Sequence, residues 1–163
     1  MSNCSVREYT VDDLPEIMGI WNSVVMAGNA FPQISPLNMS EAKTFFATQS
    51  FTGVAECDGK IAGLYILHPN SVGRCGHIAN ASYAVSEKMR GYHLGELLVK
   101  HSLAQGKQLG FRILQFNAVV KSNTGAIALY RKLGFQELGC VPEGFQLPNG
   151  NYEDILLFCI QLK

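Results

Sequence analysis

Val85 to Leu98 reads V-S-E-K-M-R-G-Y-H-L-G-E-L-L, and the fold turns on what this stretch connects. Before it, Cys75 to Val85 predicts a strand. After it, Leu94 to Leu109 predicts the best long helix of the chain, with Gly110 placed to end it. Strand, tight turn and helix thus follow one another. The open N–H groups of such a turn, added to the positive end of the helix dipole, make an anion site. Gly91 and Gly95 let the backbone approach a ligand closely, Arg90 adds charge, and a diphosphate is the natural guest. A glycine ahead of a helix is equally an ordinary turn, so this segment alone leaves ligand binding open. It is not a Walker loop, because G-x-x-x-x-G-K-[ST] is absent. Nor is it a dinucleotide fingerprint, since G-x-G-x-x-G is absent and no acidic residue ends the next strand.

Working outward, Ser5 to Tyr9 predicts a short strand. Thr10 then caps a helix with Asp12 and Asp13 in its first turn and an apolar stripe at Leu14, Ile17, Met18 and Trp21. Gly28 to Asn38, with Pro32 and Pro36, is a loop, and Ser40 is the expected cap of a second helix holding Phe45 and Phe46. Phe51 to Cys57 and Lys60 to His68 are strands joined by Asp58-Gly59, a strong two-residue hairpin signal. The loop Pro69 to Arg74 leads into the strand Cys75 to Val85. Beyond the long helix come a strand, Phe111 to Val120, and a helix, Asn123 to Leu133, stopped by Gly134. Two last strands, Phe135 to Gln146 and Tyr152 to Gln161, flank the turn Pro148-Asn149-Gly150. The order β-α-α-β-β-β-α-β-α-β-β is that of an α+β or α/β protein with a mixed sheet.

The 163 residues suit a single domain, 1–163, with no internal repeat, low-complexity tract or linker. Net charge is zero and charged residues make up 16%, which argues against a nucleic-acid or membrane-surface binder. The first ten residues lack the apolar core of a signal peptide, and no apolar run is long enough to span a bilayer. Five cysteines (Cys4, Cys57, Cys75, Cys140, Cys159), an odd set without a C-x-x-C pair, suit reduced thiols in a cytoplasmic protein better than a disulfide framework. No spacing supplies clustered zinc ligands, so no metal is expected.

Lys121 to Phe135 reads K-S-N-T-G-A-I-A-L-Y-R-K-L-G-F. Asn123 can cap the helix there, and Tyr130, two turns along, lies close to the same face. Together with the Arg90 to Gly95 turn, this segment resembles the GCN5-related N-acetyltransferase (GNAT) superfamily. Arg90 and Gly95 match the ends of its pyrophosphate-loop pattern [QR]-x-x-G-x-[GA]; His93 stands where glycine is usual, a departure that bears on loop geometry. The resemblance implies the GNAT fold, a mixed, mostly antiparallel central sheet flanked by helices. It also implies acetyl-CoA as acetyl donor, held by Tyr83, Val85 and the run Arg90, Gly91, Tyr92, His93, Leu94, Gly95 and Glu96. Asn123, Ala126 and Tyr130 would line the pantetheine arm. By the same resemblance Tyr130 is a candidate acid for the departing thiolate; the other reading of Tyr130 is a helix-face residue packed on the sheet. A homodimer is a family expectation.

Leu67 to Ala84, L-H-P-N-S-V-G-R-C-G-H-I-A-N-A-S-Y-A, and F-N-A-V-V-K-S-N after it, are similar to the proline-analogue branch of that superfamily, which in yeast acts on azetidine-2-carboxylate. By this likeness Asn80, Asn117 and Asn123 line the acceptor site, with Asn80 and Asn117 counted as catalytic. A carboxamide offers donors and acceptors, so it could orient an amine and hold a carboxylate. It could equally tie adjacent backbone at the splay between strands. For a general base, histidine is the residue type suited to proton transfer near neutrality, and His77 is the one on the Cys75 to Val85 strand; Glu143 and Asp154, on the last hairpin, could act through water. The alternative is uptake of an amine already deprotonated, with Asn80 only orienting it. The expected activity is direct transfer of acetyl to a small amine, such as an amino acid or proline analogue, with the Val85 N–H as oxyanion donor. The alternatives are a protein or peptide N-terminal acetyltransferase and a non-catalytic acetyl-CoA-binding sensor.

Overall fold

The computed structural model describes residues 3–163; Met1 and Ser2 of the expected domain lie outside the described residues. Asp58 and Gly59 both take positive φ, 49° and 78°, as a two-residue hairpin turn demands. Across that turn β2 (Phe51–Cys57) and β3 (Lys60–Pro69) pair antiparallel, and β1 (Cys4–Glu8) flanks β2 at the edge. On the other side of β3 lies β4 (Ile78–Val85), again antiparallel. The second half adds β5 (Ile113–Val120), β6 (Gln136–Gln146) and β7 (Tyr152–Gln161), giving a seven-stranded sheet in the order β1-β2-β3-β4-β5-β7-β6. Among the described residues its one parallel pairing joins β4 to β5. This is the mixed, mostly antiparallel sheet expected from the sequence.

Period-two alternation assigns each strand two faces. Val54, Leu64, Ile66 and Ala84 pack with Leu14, Ile17 and Trp21 of α1 (Leu14–Ala27) and Phe46 of α2 (Met39–Ala47). Burying each of these large side chains contributes about 1.5–3 kcal/mol. Tyr65, Leu67, Ala79, Ala81, Leu114 and Phe116 face the other way. They meet Leu94, Leu98 and Val99 of α3 (Leu94–Gln108), and Ile127 and Tyr130 of α4 (Thr124–Lys132). The helices thus cover the two sheet faces in pairs.

Three expectations are corrected. Asn38, not Ser40, caps α2: its side chain accepts the Glu41 N–H at 3.0 Å while the Glu41 carboxylate accepts the Asn38 N–H at 2.8 Å. Ser40 sits inside the first turn, where its hydroxyl cannot serve that reciprocal pair. The strand predicted from Cys75 begins at Ile78, because Gly73 at φ 58° starts a 3-10 turn that bonds Cys75 and Gly76 back to Val72 and Gly73. His77 therefore precedes the strand. Finally, Cys4 and Cys57, opposite one another in β1 and β2, form a disulfide, so the thiols are not all reduced; Cys75, Cys140 and Cys159 are free. The odd count concealed a pair that only strand pairing brings together.

Candidate active site

β4 and β5 pair at Ile78 with Ile113 and at Ala79 with Leu114, and then part. The Asn70 N–H bonds the Ile78 carbonyl at 2.7 Å, and the Ser86 N–H bonds the Ala62 carbonyl at 2.9 Å. These two bonds put the even-numbered backbone groups of β4 toward β3. Ala81, Tyr83 and Val85 consequently aim their N–H groups into the gap where β5 has left. Asn80 Oδ1 accepts the Ala81 N–H at 2.8 Å. No strand takes the next two.

Two cavities meet at this gap. The first, of about 740 Å³, runs between α3, α4 and the end of α1, with Tyr83 and Val85 on its wall. The second, of about 600 Å³, lies under the α1–α2 connection and is lined by Phe31, Phe45, Ile66, His68, Asn80, Ser82 and Asn117, among others. Ala30, Tyr83, Asn123 and Tyr130 belong to both walls. A ligand threading the first cavity would bring its end to the mouth of the second.

The far end of the first cavity is the glycine-bracketed turn. Gly91 and His93 take positive φ, 89° and 56°, so His93 adopts the left-handed conformation that glycine favours. The departure from the loop pattern therefore changes the side chain and leaves the backbone path accessible to glycine. The first α3 bond runs from the Leu97 N–H to the His93 carbonyl at 3.2 Å, so Leu94, Gly95 and Glu96 have no helical partner for their N–H groups. Arg90, Gly91, His93, Leu94, Gly95 and Glu96 all line the cavity. Tyr92, 54% exposed, does not. The Glu96 carboxylate bonds Lys100 at 2.8 Å and Lys132 at 2.6 Å, which hold its pKa down to about 2.

At the junction, the Asn123 side chain accepts the Ala126 N–H at 3.4 Å as the α4 cap, and Ala126 joins the first cavity's wall. Tyr130 is buried against Phe116, Phe135 and Phe158, with ring centroids 4.5, 5.4 and 5.8 Å away. Burial raises its phenol pKa, so the hydroxyl stays protonated. Tyr83 is held protonated too, chiefly by burial, while its hydroxyl pairs with Ser102 Oγ at 2.7 Å. Tyr130 thus packs in the core and reaches both cavities.

Two of the three predicted acceptor asparagines, Asn80 and Asn117, converge through a residue that sequence reasoning missed, while Asn123 caps α4 and lines the same cavity. Asn70 Oδ1 accepts from Asn80 Nδ2 at 3.3 Å and from Asn117 Nδ2, while Asn70 Nδ2 donates to Asn117 Oδ1 at 3.2 Å. Asn117 is exposed rather than buried, and sits where β5 bulges against β7 between Phe116 and Val119. None of the three expected bases lines either cavity. His77 is exposed ahead of β4, and its carbonyl takes the Arg112 N–H. The Glu143 backbone N–H donates to the Asp154 carboxylate, which also pairs with Lys121 at 3.0 Å, so the Asp154 side chain is engaged, while Glu143 is exposed on the last hairpin. His68, the β3 partner of Asn80, does line the second cavity. Among the described residues no cluster of His, Cys, Asp and Glu could hold a metal ion, and no helix is long and apolar enough to cross a membrane.

The sequence profile of the Acetyltransferase (GNAT) family matches residues 21–135, spanning the first cavity's turn and α4. The chain belongs to this family. A solved GCN5-related N-acetyltransferase from Kribbella flavida superposes on this GNAT chain with a TM-score of 0.89, at 33% identity over 97% of each chain. N-acetyltransferase aca1 of Schizosaccharomyces pombe is 29% identical over 107 residues, 66% of this chain and 51% of its own length. This chain therefore spans about half of that relative. An L-methionine sulfoximine/L-methionine sulfone acetyltransferase of Pseudomonas aeruginosa is 26% identical over 149 residues, 86% of this GNAT chain and 85% of its own length.

Proposed function

We propose that the protein transfers acetyl from acetyl-CoA to the amine of a small molecule, of the amino-acid or proline-analogue class, by direct attack. The observation that carries this is the meeting of two cavities at Tyr83, Asn123 and Tyr130, beside backbone N–H groups freed by the β4–β5 splay. The turn from Arg90 to Glu96 suits a diphosphate, since helix N–H groups and the dipole attract anions. Val24, Ala126 and Leu129 supply apolar wall for the pantetheine arm. Asn123 holds the α4 cap beside that arm. The Val85 N–H stabilises the oxyanion, and Tyr130, kept protonated by burial, gives its proton to the thiolate. Asn80 and Asn117 position the acceptor. The named activity of the Pseudomonas relative, on small amino-acid analogues, favours the same acceptor class.

Free-thiol release from acetyl-CoA is the test, run over amino acids, proline analogues and peptides with free N-termini. Turnover with small amines supports the proposal. Turnover confined to peptides would make it a peptide acetyltransferase, and calorimetric binding of acetyl-CoA without any turnover would make it a sensor.

A further inference from the structure

We propose that His68 is the general base that deprotonates the acceptor amine; this rests on the acetyl-transfer reading above. His68 stands opposite Asn80 in the β3–β4 ladder, on the sheet face that carries Leu64 and Ile66, and it lines the acceptor cavity. His68 Nδ1 lies 2.9 Å from the Pro69 carbonyl oxygen. A carbonyl can only accept, so Nδ1 carries the hydrogen, and in the neutral ring Nε2 is left as a bare lone pair.

The cavity offers no rival. Of the elements that wall it, the α1–α2 connection contributes Phe31, Pro32 and Gln33, α2 Phe45, and the segment after α2 Gln49. β4 contributes Asn80 and Ser82, and β5 Asn117; no Asp, Glu, Lys or Arg lines the wall among the described residues. The other titratable groups on it, Tyr83 and Tyr130, are held protonated by burial and cannot accept a proton.

An aliphatic amine arrives at neutral pH as an ammonium ion, which has no lone pair for attack. Nε2 takes one ammonium proton, and the freed lone pair forms the C–N bond to the thioester carbonyl. Collapse breaks the C–S bond. The thiolate takes the Tyr130 proton, and the second nitrogen proton restores Tyr130. His68 then returns its proton to solvent, so the net products are amide, CoA thiol and one proton.

The test is the pH profile of kcat/KM for the amine found by the thiol-release screen, at saturating acetyl-CoA, for the unaltered protein and for His68→Asn. Asparagine keeps a donor able to reach the Pro69 carbonyl and removes the base. The unaltered protein should lose activity along an acid limb as the base becomes protonated. In His68→Asn that limb should vanish and activity at pH 7 fall ~10²–10⁴-fold, recovering toward alkaline pH as the amine deprotonates unaided. Calorimetric affinity for acetyl-CoA should not change, since His68 is absent from the first cavity's wall. A His68→Asn profile that keeps the limb, whatever its height, would overturn the assignment. If the unaltered protein acetylates no amine, the acetyl-transfer reading fails first and the base falls with it.

Discussion

Asn80→Ala tests how far a residue that closes the backbone also serves the acceptor. Asn80 does two things in the structure: Oδ1 holds the Ala81 N–H at 2.8 Å, and Nδ2 reaches Asn70 at 3.3 Å. The first matters more for folding, because Ala81 is 6% exposed and its N–H is the first that β5 leaves without a partner. An unpaired buried amide costs ~1–3 kcal/mol. The cavity beside it admits water, which places the loss near ~1 kcal/mol. For a chain of this length each ~1 kcal/mol moves Tm by about 2–4 °C. Asn80→Ala should therefore melt a few degrees lower, and Asn80→Asp, which keeps the acceptor, should recover most of that. Affinity for acetyl-CoA should stay constant, since Asn80 lines the second cavity and not the first. If the amide also orients the amine, kcat/KM should drop roughly 5- to 150-fold, the kinetic equivalent of ~1–3 kcal/mol. Thermal melting, calorimetry and kcat/KM on one preparation decide it. An unchanged Tm would refute the capping role, and weakened acetyl-CoA binding would refute the division of labour between the cavities.

Tyr130→Phe keeps the ring contacts with Phe116, Phe135 and Phe158, so Tm should hold while kcat falls ~10²–10⁴-fold; unchanged turnover would return Tyr130 to packing alone. At His93, where φ is 56°, glycine should be neutral or stabilising and valine destabilising, because a β-branched side chain resists that conformation; equal melting of His93→Gly and His93→Val would contradict this. The Cys4–Cys57 bridge closes a loop across a sequence separation of 53, worth ~4 kcal/mol in the chain-entropy picture. Under denaturing conditions thiol titration should count three groups before reduction and five after, and reduction should lower Tm by several degrees.

What the sequence displayed was local. The Asp58-Gly59 hairpin, the apolar stripe of α1 and the glycines around Arg90 to Gly95 each act within a few residues, and each lies where periodicity and turn chemistry put it. What it concealed was contact at a distance. Asn70 reaches Asn117, 47 residues on, and Asn80 from a stretch that reads as an ordinary loop. Cys4 finds Cys57 because β1 and β2 pair, and nothing in the count of five predicts the partner. His77 drew notice because it lay in a predicted strand; a glycine-started turn took it out. His68 shows the same limit from the other side. Its place after Leu64 and Ile66 on an alternating strand already fixed which face it takes, but that face could be read as reactive only once Asn80 stood opposite and the cavity wall proved free of carboxylates. The chemistry of this site thus depends on where β4 and β5 cease to pair. No motif marks that point, whereas the Arg90 to Gly95 turn and the Asn123 cap are local features, which is why those were legible in the sequence and the contacts through Asn70 were not.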